Sequence, residues 1–493
     1  MKKSILAIIA FAGICTVSAN NEIVKAVPDT TLLQRPFDSQ DATLFQTPKK
    51  MFFPETWFHY VNGNVDRAGI TADLEAIAAS GLAGVQFFHG GGFADGWKGV
   101  TEPVYCLSEK WEDLVKHTAS EAKRLGLRFT MQNCPGWAMS GGPWIKPENA
   151  MRTIVYSRAD VFGKDIQTVL AVPAPNKEEW RDYRDIAVLA FPTPEGDTGK
   201  PLEWTQVKGD GNFPWKELME GKKSYVGFPP AKEGEPHWVE VKFKEPTTVR
   251  SVELPSVQDF NHSMSFEPNI HVTAYALMAD GSKHAIVDAE LPPSSWQDHH
   301  PITFACPEVK DAVGCRIEFQ NKYGMNMNRI KLWSAAHKNS WQSEAAWDLR
   351  AFERSADDIV QSSSAYLTKS DVLDITQYMT ADGKLSWKAP DEKAWTILRF
   401  GHVNEGRKNG PAPEAGTGWE CDKLSTEGPE AHFAGYIGKL TNGTLQGGML
   451  NGMLLDSWEC YSQTWTQKME SEFGERMGYD LRAWLPALVG YVI

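Results

Sequence analysis

The sequence predicts an α/β protein built on a (β/α)8 TIM-type barrel, incomplete within these 493 residues and interrupted by an inserted β-sandwich. Three observations predict it. Between Phe52 and Ser157 short apolar strands alternate with amphipathic helices across short connections. From residue 158 the pattern changes to period two, as in a sandwich. Beyond residue 361 strand and helix alternation returns, and an apolar run there ends in Asp456-Ser457-Trp458-Glu459.

Residues 1–19 combine Lys2-Lys3, the apolar stretch Ile5 to Ile14 and Val17-Ser18-Ala19, which together read as a cleaved secretory signal. A lipoprotein reading through Cys15 is the weaker one, because Ile14 stands where a small residue is needed. A leader, 20–48, precedes the first part of the barrel, 49–157. There Trp57 to Val61 is the first strand, and Ile70, Leu74, Ile77 and Ala78 mark one face of a helix that Thr71 caps and Gly81 stops. Gly84 to Phe88 is the second strand. Ser108 caps a longer helix with Trp111, Leu114, Val115, Thr118 and Ala122 inward, and Leu127 to Met131 is the third strand. Consecutive strands joined by helices imply parallel pairing with right-handed crossovers.

Residues 158–360 form the expected insert, a galactose-binding-like sandwich: Val239, Val241 and Phe243 alternate with charged residues, as do Cys315, Ile317 and Phe319 with their neighbours. Residues 361–493 return to the barrel through short strands at Leu385-Trp387 and Trp395 to Phe400, a helix near Ala431 to Leu440, the strand Met449 to Leu455 and a helix from Thr466 to Met477 with Gly478 at its end. Only about five of eight barrel strands are counted, so the chain reads as truncated, with an open edge and little activity of its own.

A net charge of −13 argues against nucleic acid as a partner, and no stretch after the signal reaches the ~18 apolar residues of a membrane span. Nineteen tryptophans suit the C–H faces of sugar rings, although most aromatics serve the core. No protein partner is indicated. The six cysteines beyond Cys15 fit neither a zinc pattern nor a dense disulfide framework; Cys306 and Cys315 could bridge a hairpin.

Ligand-facing groups in such folds sit after strands. Those positions hold Asn62-Gly63-Asn64, then His89 with the glycine run 90–92, then Asn133 and Trp137, and later His402. Trp419-Glu420-Cys421-Asp422-Lys423 adds two carboxylates and an ammonium beside a tryptophan; an exposed charged turn is the competing account. We take Asn62, Asn64, His89, Asn133, Trp137, His402, Glu420, Asp422, Lys423 and Trp458 as substrate-binding candidates, and Glu459 and Asp456 as catalytic ones. Burial of the strand end would raise the pKa of one of these two carboxyls and leave the other ionised. No His-Glu-x-x-His, Gly-x-Ser-x-Gly or Gly-x-Gly-x-x-Gly pattern suited to other enzyme classes occurs. What remains, carboxylates with amides and indoles in an exported chain, is the chemistry of a glycoside hydrolase.

Asn62-Gly63-Asn64 with Gly69-Ile70-Thr71-Ala72-Asp73-Leu74, Gly136-Trp137 with Ser140-Gly141-Gly142-Pro143-Trp144, Trp419 to Ser425, Asp456 to Glu459, and Gly478-Tyr479-Asp480-Leu481 with Leu485 to Leu488 follow one another through most of the chain. In these phrases and their order the sequence resembles the family 106 glycoside hydrolases, bacterial α-L-rhamnosidases of plant pectic polysaccharides such as rhamnogalacturonans. The resemblance implies a barrel decorated by sandwiches, inversion by two glutamates, and a calcium ion whose ligands stay unassigned. Glu459 matches one glutamate and is favoured as general base, an acid role remaining open; the second lies in the part of the family beyond Ile493. The implied substrate is a plant cell-wall oligosaccharide or polysaccharide; the signal, read as non-lipidated, points to the periplasm rather than the cell surface. Two other readings compete: a non-catalytic glycan-binding protein, and a retaining hydrolase with carboxyls ~5–5.5 Å apart.

Overall fold

The computed structural model describes residues 34, 36, 39–90, 100–173, 182–222, 225–261, 269–293, 296–350, 359 and 361–493. The signal-like stretch 1–19 and the last two glycines of the 90–92 run lie outside them. The chain divides into two compact units, residues 1–151 with 405–460 and residues 152–404 with 461–493.

The first unit is built on four parallel strands in the order Glu55–His59, Gly84–Phe88, Arg128–Gln132, Gly452–Leu454. Helices Arg67–Ala79 and Glu109–Arg124 make the crossovers. Ser108 caps the second as expected, its Oγ accepting the Trp111 N–H at 3.2 Å, and Trp111, Leu114, Val115, Thr118 and Ala122 are buried. Asp66, not Thr71, caps the first: its carboxylate accepts the Gly69 N–H at 2.8 Å, starting the helix a turn earlier, while Thr71 hydrogen-bonds His117. Strand alternation divides the sheet. Phe58, Val85, Phe87, Phe129 and Met131 pack with Ile70, Leu74 and Trp111 into the core. The residues that alternate with them, Glu55, Trp57, His59, Gln86, Phe88, Arg128, Thr130 and Gln132, belong to the opposite face. A Glu55–Arg128 ion pair spans that face at the N-terminal ends of the strands. Gly84 is required where it stands, since a Cβ would lie 2.7 Å from the Arg128 carbonyl oxygen.

The second unit is antiparallel. One sheet runs in the order Lys283–Glu290, Ile270–Leu277, Ile302–Asn321, His237–Leu254, Lys331–Trp333, with Trp204–Gly209 also on the fourth of these. Its alternating residues form the sandwich-like core expected of this stretch, including Val239, Val241, Phe243, Cys315, Ile317 and Phe319. A second sheet runs Leu373–Asp374, Arg184–Pro192, Lys384–Asn404, Arg152–Val169.

This second sheet changes the expected organisation. Residues 384–404 do not return to a barrel; they pair antiparallel with 152–169 from Lys384↔Val169 to Asn404↔Arg152. The two short strands expected at 385–387 and 395–400 are one long strand, with a register shift between Lys388 and Lys393. Among the described residues the parallel strands number four and form an open sheet, most sheet pairing is antiparallel, and no barrel closes. The helix near 431–440 is two, Glu427–Gly435 and Ile437–Asn442, and the last expected helix runs Met469–Met477, ended by Gly478 in the left-handed region. Cys306 and Cys315 do not bridge; they are buried free thiols, as are the other four described cysteines. No helix among the described residues is long and apolar enough to cross a membrane.

Candidate active site at the strand ends of the first unit

The register Gly452↔Thr130 and Leu454↔Gln132 brings the segment after the fourth strand beside the loop after the third. Asp456 turns the chain there: its Oδ1 accepts the Ser457 N–H at 2.8 Å and the Ser457 hydroxyl at 3.2 Å. Glu459 is half-buried three residues on. Burial, and then the negative charge of Asp456, push the Glu459 carboxyl above its ordinary value. The Asp456 charge thus reaches the Glu459 carboxyl at the same strand end.

The run Trp419–Lys423 is neither a solvated turn nor an open binding edge. Glu420 and Asp422 are each 1% exposed. Glu420 Oε2 accepts the Lys423 ammonium at 2.7 Å and the Ser140 hydroxyl at 2.9 Å. Burial pushes the Glu420 carboxyl up, against the pull of Lys423. Burial works against the Lys423 charge, yet the Glu420 carboxylate outweighs it and holds the ammonium at about 12. Asp422 Oδ1 accepts the Leu424 N–H at 3.0 Å, and its own N–H is donated to the Asn149 carbonyl at 2.8 Å. The Lys423 ammonium lies 4.9 Å over the Trp458 ring, which joins this buried pair to the Asp456–Glu459 segment.

Asn62 takes a left-handed conformation, φ 49°, and donates its N–H to the Gly90 carbonyl at 3.1 Å, tying the first two strand-end loops together. Gly63 follows at φ 72°, where a Cβ would lie 2.6 Å from the Val104 carbonyl oxygen; Asn64 is exposed. His89 turns the other way: it is buried, and its Nδ1 accepts the Trp111 indole N–H at 3.1 Å. Asn133 uses its side-chain amide on the Met139 carbonyl at 2.9 Å, bracing its own loop. Trp137 lies with Trp57, His59 and Phe88, ring centroids 6.0, 5.2 and 5.4 Å away. His402 is not at these strand ends. It lies within the long strand Lys384–Asn404 of the second unit, where Arg152 Nε donates to its Nδ1 at 2.6 Å.

Residues 46–493 match glycoside hydrolase family 106, described as alpha-L-rhamnosidase. The chain belongs to this family. A solved structure, "Structure of Rhamnosidase from Novosphingobium sp. PP1Y", superposes with a TM-score of 0.71 at 26% identity, over 92% of this chain and 43% of that one. A Formosa agariphila protein named "Putative beta-glucuronidase" is 29% identical over 471 residues, 95% of this chain and 27% of its own length. The chain therefore spans less than half the length of these relatives.

Calcium, expected from the family 106 resemblance, takes six to eight oxygen ligands. Among the described residues no group of three or more His, Cys, Asp or Glu side chains is placed to hold a metal ion. Glu420, a buried carboxylate, is already engaged by Lys423 and Ser140. None of the described residues is assigned to the ion.

Sequence reasoning missed several groups near these strand ends. Trp57 is 56% exposed on the sheet face away from the helices, and His59 shares that face. His59 Nε2 and Gln132 Oε1 are buried atoms with no hydrogen-bond partner, and burial lowers the His59 pKa. The period-two alternation of Glu55, Trp57 and His59 was the available signal; read as a plain apolar run, it hid which side chains share a face. His432 was also missed. Its Nδ1 accepts both the Gly141 N–H and the Trp144 indole N–H at 3.1 Å, and Nε2 donates to the Asn133 carbonyl at 2.8 Å. Burial depresses its pKa to about 4, so it is a neutral brace for the third-strand loop.

Proposed function

We propose that this chain carries the Glu459 half of the catalytic apparatus of an exported α-L-rhamnosidase that acts with inversion on plant pectic glycans. The observation that supports the reading most is the Asp456–Glu459 pair at the C-terminal end of a parallel strand, with the Glu459 carboxyl raised by burial and by Asp456. Glu459 acts as general base: ionised, it accepts a proton from the water that attacks the anomeric carbon. Its raised proton affinity strengthens it in that role. A second carboxyl, protonated, gives its proton to the departing glycosidic oxygen from ~6.5–9.5 Å across the sugar. We assign that acid to the part of the whole protein corresponding to the share of the relatives this chain does not span. We also propose that the four-stranded parallel sheet is part of a (β/α)8 barrel in the whole protein.

Trp57 and Trp137 offer indole surface for the C–H face of a sugar, and the Nε2 of a neutral His59 offers a polar partner for a hydroxyl. A β-glucuronide, the substrate named for the Formosa relative, carries a carboxylate that needs a cation. Lys423, the ammonium against Trp458, is already neutralised by Glu420, which favours the uncharged rhamnoside. Calcium enters the proposal only through the family resemblance; no step is routed through it, and loss of turnover on chelation would establish the dependence. Export rests on residues 1–19 and is tested by recovery of the mature protein from the periplasmic fraction.

The reading is tested on the whole protein by proton NMR of the first-formed sugar from an aryl α-L-rhamnoside. Inversion gives β-L-rhamnose first. Initial release of the α-anomer identifies a retaining enzyme, and no release from rhamnoside sinks the substrate assignment.

A further inference from the structure

Glu459 follows a residue whose ring lies against a buried ammonium. The Lys423 ammonium lies 4.9 Å over the ring of Trp458, the residue before Glu459. Cys460, the residue after Glu459, is buried, and the Lys423 charge acts on its thiol against the effect of burial. Lys423 is itself fixed. It donates to Glu420 Oε2 at 2.7 Å and to the Cys421 carbonyl at 3.2 Å, and the Met151 sulfur lies 4.0 Å away. Glu420 is held in turn by Ser140 at 2.9 Å. The ammonium is 6% exposed and the carboxylate 1%. Removing two charges from water this completely is expensive, and their mutual attraction offsets the cost only in good geometry. Two apolar side chains would close the same space at less cost, so the stability of the unit does not account for the pair.

We propose that Lys423 is a positioning residue for Glu459: anchored by Glu420, its ammonium holds Trp458 through the indole face, and so fixes the backbone that presents the carboxylate. A cation over an indole face is attracted by the ring quadrupole, which favours one arrangement of a short segment after a three-residue strand. The inference rests on the catalytic reading of Glu459 but not on the sugar.

The test uses the whole protein and the double variant Glu420→Gln/Lys423→Met, which removes both charges together and leaves no buried ion unpaired. Hydrogen exchange of the 456–460 amides should accelerate by about tenfold or more while the four parallel strands keep their protection. On the substrate turned over by the unmutated protein, kcat should fall by about a hundredfold with KM within about threefold, as for a misplaced catalytic group. Trp458→Leu, which keeps the ion pair, should reproduce both effects, and Lys423→Arg should restore most of kcat. Unchanged exchange at 456–460, or kcat within about twofold of the parent, would overturn the proposal. So would uniformly faster exchange, which marks the pair as a general prop of the unit. Absence of rhamnoside turnover by the unmutated protein would count against the rhamnosidase reading alone, because the exchange measurement still decides the role of Lys423.

Discussion

Asn133 donates its backbone N–H to the carbonyl of Leu454 at 2.8 Å. The bond carries the pairing of the third and fourth parallel strands one residue past the third strand. The loop holding Trp137 and the segment holding Asp456 and Glu459 therefore leave from one edge. Parallel strands present their C-terminal ends together, which is how residues more than 300 positions apart come to share one strand edge.

The Asp456–Glu459 coupling predicts a pH shift of definite sign. Asp456 pushes the Glu459 carboxyl up, so Asp456→Asn should lower its pKa. A base must be ionised, so the acidic limb of kcat/KM should move to lower pH by about half a unit to one unit. Movement of the alkaline limb instead would assign Glu459 as the acid.

Trp57 is more than half exposed beside Trp137. Trp57→Ala should raise KM about tenfold, equivalent to ~1.4 kcal/mol of lost sugar contact, with kcat little changed. Steady-state kinetics separate this from a catalytic effect.

His432 accepts two N–H groups and donates one hydrogen bond inside the first unit. His432→Ala leaves all three partners unsatisfied and should destabilise that unit by about 2–4 kcal/mol, whereas His432→Gln should cost less. Denaturant unfolding followed by hydrogen exchange in the third strand gives the difference.

His402 predicts acid sensitivity of the second unit. Burial, reinforced by the Arg152 charge, lowers its pKa from 6.5 to about 3. Between those values the unfolded chain takes up a proton that the folded chain refuses. Stability contributed by neutral His402 is thus complete above 6.5 and lost as pH falls toward 3. His402→Gln, which can still accept from Arg152, should reduce the stability lost between pH 7 and 4 by on the order of 2–3 kcal/mol. Urea unfolding at the two pH values measures it.

Local signals were legible in the sequence where local physics decides. The helix Glu109–Arg124 was readable from its cap and its apolar face, and the carboxylates after a strand from their place beyond an apolar run. The pairing of 384–404 with 152–169 was not, because the partners lie on opposite sides of the intervening sheet in sequence and no period records a partner. His402 was misplaced with it: the strand runs past Phe400 to Asn404. Glu420 and Lys423 looked like ligand-facing charges because charge usually marks surface. Their mutual neutralisation and burial emerge only when Ser140 and Trp458 are brought to them. The expected barrel rested on resemblance, and the described residues supply an open sheet of four parallel strands.

The most direct measurement is kcat/KM of the whole protein and its Glu459→Gln variant on an aryl α-L-rhamnoside, with the matching β-glucuronide alongside. The account predicts rhamnoside turnover that falls by about a thousandfold or more in the variant, with little turnover of the glucuronide by either protein. Equal turnover by the two proteins, or preference for the glucuronide, would contradict it.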